Sequence, residues 1–153
     1  MDSAETFPSE RSSLPPLLVS FLVIGGFVFS PANIMFCNVF VDTSSNGCLI
    51  GTCASDDYEG KCFEPVDLYK GDFARSYFYL SVAYMDEWTC CDGDATDKWH
   101  IKPWLEEELR EWHDMDPVDE SEISRNEDIY EEWQHNRNPF IDYPDLVYQI
   151  ADF

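Results

Sequence analysis

The chain has 153 residues, with 31 Asp and Glu against nine Lys and Arg, and a formal net charge of −22. That balance excludes a broad basic footprint on nucleic acid, and the length excludes more than one sizeable core. An aromatic share of 16% argues for a folded chain over an acidic disordered tail.

In chain order, residues 1–13 form a polar, acidic lead and residues 14–36 an apolar segment. Its uninterrupted part, Leu17–Phe29, matches the hydrophobic region of a signal peptide and is short of the roughly 20 residues that span a bilayer. Ser30-Pro31-Ala32 supplies small residues for cleavage before Asn33. The expectation is an export signal, with a membrane anchor as rival and a segment foreign to the domain as third reading. Each of the first two places the protein outside the cell, secreted or membrane-anchored.

Asp42–Cys62 is rich in Ser, Gly, Asn and Asp and reads as loop with at most short strands. None of the six cysteines forms C-x-x-C, so zinc spacing is missing. Cys48, Cys53 and Cys62 crowd around glycine turns, and bridges among them are expected, with buried free thiols in a cytosolic protein as the alternative. Then the period changes. Phe73, Tyr77, Leu80 and Tyr84 recur at i, i+4, i+7 and i+11 and predict a helix near 69–85 packed through that face.

Residues 90–103 read as a connector, whose Asp92, Asp94 and Asp97 miss calcium-loop spacing. Leu105, Leu109 and Trp112 predict a helix near 103–113, with Glu106, Glu107 and Glu108 toward solvent. Asp116 as cap and Pro117 as first residue predict a helix over 117–134. Ile123, Tyr130 and Trp133 keep helical spacing on it, with Asn126 on the same face. It stops near His135, Asn138-Pro139 turns the chain, and a last short helix covers 144–150.

Motif chemistry yields no catalytic set. Carboxylates are too abundant to single out a pair, and His100, His113 and His135 stand in no ligand spacing. Two patches have groups suited to phosphate: Lys70 with Arg75, and Asn136, Arg137 and Asn138. Arginine can fork a phosphate and asparagine can donate beside it. The plainer alternative is that both arginines pair with nearby acids.

The stretches "FEPVDLYKGDFARSYFYLSVAY" and "EWHDMDPVDESEISRNEDIYEEWQHNRNPFIDYPDLV" carry K-G-D-F-A-R, W-H-x-x-D-P-V, R-N-E-x-I and N-R-N-P-F in order. With the Gly/Cys segment before them, they resemble the C-terminal half of the endonuclease I family, His-Me finger (ββα-metal) nucleases, over roughly Val41 to Phe153. The resemblance implies an α+β fold for 37–153, here predominantly helical with a long Gly/Cys-rich loop. It also implies secretion, disulfides, nucleic acid as partner, and Mg²⁺ or another divalent cation as cofactor of phosphodiester hydrolysis.

The departure from the family is large. Its chemistry belongs to a Glu-His pair and a later Asn in an N-terminal segment, and this chain contains no Glu-His dipeptide. No catalytic residue or metal ligand is therefore assigned. Arg75, Asn136, Arg137 and Asn138 stand as substrate-contact candidates. The expected function is an inactive piece of a nuclease with weak or absent nucleic-acid binding and no obligate protein partner. An acidic secreted or membrane-tethered binding module on the same scaffold is the alternative. Residual cleavage through carboxylates and His135 with Mg²⁺ is a third. Loss of the catalytic half would leave part of the helix surface apolar and exposed.

Overall fold

A computed structural model describes residues 35–36, 38–45, 47–83, 85, 95–98 and 100–153. All lie in the second of two compact units, Asn33–Phe153. The apolar segment expected at 14–36, Tyr84 and residues 90–94 and 99 of the connector lie outside the described residues, apart from Met35 and Phe36 at the segment's end.

The fold is α+β. Strands β1 (Met35–Phe36), β2 (Val39–Ser45), β3 (Cys48–Cys53) and β4 (Lys61–Glu64) form a sheet ordered β1-β4-β3-β2, with β1 parallel to β4 and the other pairs antiparallel. The stretch expected to be loop is thus largely a hairpin and its neighbour. The missed signal is Asn46-Gly47 between two short extended runs, a dipeptide favoured where a hairpin needs positive φ, and Gly47 has φ +86°. Frequent Ser, Thr and Gly hid the alternation, and a bulge between Val41 and Thr43 breaks it.

A 3-10 turn, Asp67–Tyr69, leads into helix α1 (Lys70–Ala83). A small hairpin of β5 (Thr96–Asp97) and β6 (His100–Ile101) precedes α2 (Pro103–Met115). Helix α3 (Glu120–Asp128) continues into a π-helical turn, Ile129–Gln134, that stops at His135 in the left-handed region, φ +57°. A short α4 (Pro139–Asp142) and a 3-10 turn, Pro144–Gln149, complete the chain. α3 starts later than the sequence implied. Its cap is Asp119, whose Oδ1 accepts the Glu122 N–H at 2.8 Å, while Asp116 closes α2.

The core joins Phe73, Ala74 and Phe78 of α1 to Leu105, Leu109 and Trp112 of α2, with Phe140, Val147 and Phe153. Phe78 stacks on Phe153 with centroids 4.3 Å apart, and Phe140 meets both edge-on. The aromatic stripe predicted for α1 is only partly the core face. Phe73 is buried but Tyr77 and Leu80 are half-buried, and the stripe that faces inward is Ala74, Arg75, Phe78 and Ser81. Two polar members concealed it. Leu105, Leu109 and Trp112 are buried as expected, yet Glu106 is buried with them and Glu108 is half-buried.

Cys53 is disulfide-bonded, whereas Cys48 and Cys62 are free thiols, so the expected bridges among these three do not form. Cys62 of β4 lies in an apolar cluster with Cys53, Val39, Tyr58 and Trp104. Burial there pushes its thiol up to about 12.

Candidate functional site

The motifs singled out by sequence meet inside the molecule, around one guanidinium. Arg75, on the inner face of α1, is 0% exposed. Its Nε and Nη2 donate to the two carboxylate oxygens of Glu122 on α3, at 2.8 and 2.6 Å. Its Nη1 donates to the Asp116 carbonyl at 2.9 Å and to His113 Nδ1 at 3.3 Å, both at the end of α2. Asp72, one turn back on α1, lies 3.5 Å from Nη2 and accepts from Arg125 of α3 at 2.6 Å.

Close approach of the α2 end to α1 is what Gly71 permits. Its N–H donates to Asp116 Oδ2 at 2.9 Å. A Cβ at this position would run into the Asp116 carbonyl oxygen and stand 2.7 and 2.8 Å from the terminal nitrogens of Arg75. Just before it, Lys70 Nζ binds Glu64 at 2.7 Å and Asp67 at 2.9 Å, fastening α1 to β4. The start of β2 is held similarly. Asn38 N–H donates to Glu108 at 2.7 Å and Val39 N–H to Glu64 at 3.0 Å.

The asparagine-rich turn completes the knot. Asn126 of α3 accepts the Asn138 N–H at 2.9 Å and donates to Asp142 at 3.2 Å. Asn138 caps α4 by accepting the Phe140 N–H at 3.0 Å and donates to the Arg75 carbonyl at 2.9 Å.

Burial raises the Glu122 carboxyl above its ordinary range, outweighing the opposing pull of Arg75. Burial also raises Asp116, although the Gly71 N–H favours its charged form. His113 is lowered, first by burial and then by Arg75. Since arginine only donates, the His113 Nδ1 accepts and its other nitrogen donates to the Pro144 backbone, which fixes a neutral tautomer. A buried neutral imidazole facing a guanidinium is poorly placed to take a proton from a solvent water.

The four substrate-contact candidates separate. Arg75 and Asn138 are brought together but face inward, and Arg75, being inaccessible, cannot fork a phosphate as the molecule stands. Arg137 is gripped by Asp142 through two bonds of 2.7 Å and also donates to Glu127. These carboxylates raise its pKa further, and it lies over the Tyr130 ring. Asn136 is exposed and donates to the Tyr79 hydroxyl at 2.7 Å. Sequence reasoning missed Asp72, His113, Asp116, Glu122, Arg125 and Asn126. All but Glu122 belong to the same short motifs, where charge sits next to residues that must be buried.

A divalent cation does not fit this set. Among the described residues no three His, Cys, Asp or Glu side chains converge to hold a metal. The carboxylates of the knot already face Arg75 and Arg125, and Glu106 faces Arg110 at 2.6 Å.

The family model described as Endonuclease I matches residues 27–145. The chain belongs to the endonuclease I family. The match begins within the apolar segment, before the point near Val41 where the resemblance starts. An extracellular ribonuclease of Bacillus subtilis (strain 168) is 39% identical over 117 residues, covering 72% of this chain and 40% of that protein. An extracellular ribonuclease of Bacillus amyloliquefaciens is 43% identical over 97 residues, covering 61% and 34%. The chain therefore spans less than half the length of these two relatives. No solved structure matches it. Among the described residues no helix is long and apolar enough to cross a membrane.

Proposed function

We propose that this chain is the helical frame of a secreted, metal-dependent nuclease of the endonuclease I family, and that it does not by itself hydrolyse phosphodiesters. Family membership and two relatives named extracellular ribonuclease support the nucleic-acid substrate and the secretion. One observation carries the division of labour. Arg75 and Asp72 of K-G-D-F-A-R, His113 of W-H-x-x-D and Arg125 of R-N-E are engaged inside the knot with one another and with Glu122, where they fix three helices. General-base activation of water and stabilisation of the developing phosphate charge need accessible groups, and each contributes factors of about 10² or more. Within the candidate set, exposure beside Tyr79 supports Asn136 as the residue that faces nucleic acid, with Arg75 and Asn138 as its internal support.

The test is incubation of the purified chain with single-stranded RNA and with plasmid DNA in Mg²⁺ or Mn²⁺, with and without EDTA. No EDTA-sensitive cleavage is expected. Cleavage that EDTA stops, and that substitution of one side chain of this sequence abolishes, overturns the proposal.

A further inference from the structure

The helical run from Glu120 to Gln134 is inverted relative to an ordinary surface helix. Its inward stripe is Glu122, Asn126 and half-buried Ile129, held by the polar knot. Its large apolar residues point out: Ile123 is 47% exposed, Tyr130 42% and Trp133 75%. A helix normally buries its apolar stripe and wets its polar one, and large exposed apolar groups along one element mark a surface that something covers. Trp and Tyr are the side chains most often found at the centre of such contacts.

Electrostatics selects the occupant. Between Asp119 and His135, Asp119, Glu120, Glu127, Asp128, Glu131 and Glu132 are exposed. Arg125 is the one Lys or Arg in that stretch and is bound to Asp72 at 2.6 Å. Arg137, just beyond, is neutralised by Asp142 and Glu127. A nucleic-acid backbone would meet only acids here. A second copy, with the same net charge of −22, would bring acids against acids.

We propose that the outer face of this helical run is a docking surface for a cationic protein segment, one that presents Lys or Arg around an apolar or aromatic centre. The apolar centre covers Ile123, Tyr130 and Trp133, and the basic rim meets Glu127, Glu131 and Glu132. Complementary rim charge gives fast, salt-sensitive association, and the buried aromatics hold the complex. The surface is separate from the knot, so docking leaves the Arg75–Glu122 pair in place.

The test uses the full chain and fluorescence anisotropy with three labelled probes: an amphipathic Lys/Leu helical peptide, its Glu/Leu counterpart, and a single-stranded RNA oligonucleotide. The Lys/Leu peptide alone is expected to bind, with affinity falling as salt rises. Trp133→Ser with Ile123→Ser should weaken it by about tenfold or more while circular dichroism and the melting curve stay unchanged, since both side chains are exposed. Glu131→Gln with Glu132→Gln should weaken it and reduce its salt dependence, and Glu107→Gln with Glu111→Gln on α2 should do neither. Equal loss from the two acid pairs, or undiminished binding by the serine variant, reduces the attraction to net charge and overturns the proposal. So does tighter binding of the RNA, or self-association in sedimentation that the serine variant abolishes.

Discussion

Arg75 and Glu122 stand 47 residues apart and share two parallel hydrogen bonds of 2.8 and 2.6 Å, both side chains almost wholly inside the protein. This contact ties α1 to α3, and the same guanidinium reaches the end of α2. Desolvation makes such a pair a weak source of net stability when intact, and a severe loss when halved. Glu122→Gln keeps the shape and removes the carboxylate that takes both of the guanidinium's shortest bonds, so a loss of about 3–5 kcal/mol is expected from urea denaturation. Arg75→Met should cost a similar amount. The double variant should lose clearly less than the sum, which a double-mutant cycle reads directly. Glu120→Gln, exposed on the same helix, serves as control.

Gly71→Ala reverses the usual rule for helices. Alanine is ordinarily favoured over glycine in a helix interior by about 1 kcal/mol. Here the new methyl would strike the Asp116 carbonyl and crowd Arg75. A net destabilisation of about 1–3 kcal/mol is expected, seen as a lower melting temperature.

His113 should make stability sensitive to pH. Its folded-state pKa lies below the ordinary 6.5, because burial and then Arg75 disfavour the imidazolium. The unfolded chain therefore takes up the proton more readily, and this group's contribution is present above about 6.5 and is lost as pH falls below it. Glu122 and Asp116, raised by burial, act in the opposite sense at lower pH. They favour folding below their ordinary values near 4 and lose that contribution as pH rises through their higher folded-state values. Melting curves of His113→Gln between pH 7.5 and 5.5 should fall less with acidification than those of the unsubstituted chain.

Asn138→Ala and Arg137→Ala should differ sharply. Asn138 caps α4 and supports the Arg75 carbonyl, so its loss should cost at least about 1–2 kcal/mol. Arg137 makes surface ion pairs and lies over the exposed Tyr130 ring, and its removal should shift the denaturation midpoint much less. Equal effects would show that the turn is held from its outer side.

Cys62 should resist modification. Its thiol is buried and raised to about 12, so a maleimide should label it only after unfolding. Mass spectrometry of peptides labelled with and without urea reads this.

Much of the helical organisation was open to inspection in the sequence because local periodicity and capping specify it. The runs near 70–83 and 103–115, the stop at His135 and the turn at Pro139 follow from spacing and from proline's fixed φ. The sheet was not legible, since β pairing joins residues whose partners sequence does not name, and its one local signal, Asn46-Gly47, was submerged in polar residues. The Ile123, Tyr130 and Trp133 stripe, read from spacing as a face that Asn126 shares, instead points outward on the run from Glu120 to Gln134, while Asn126 is buried on the other side.

The amino-acid order alone determined the family, the positions of the two long helices α1 and α2, and the absence of a Glu-His pair. Only the tertiary structure decided which way the motif side chains face. An arginine or asparagine in a short motif has the same hydrogen-bonding capacity whether it meets a phosphate or a carboxylate. What assigns the partner is burial, set by helices that approach one another across dozens of residues of intervening chain. Gly71 let two of them come close enough for Arg75 to be enclosed, and the same packing turned Trp133 toward solvent.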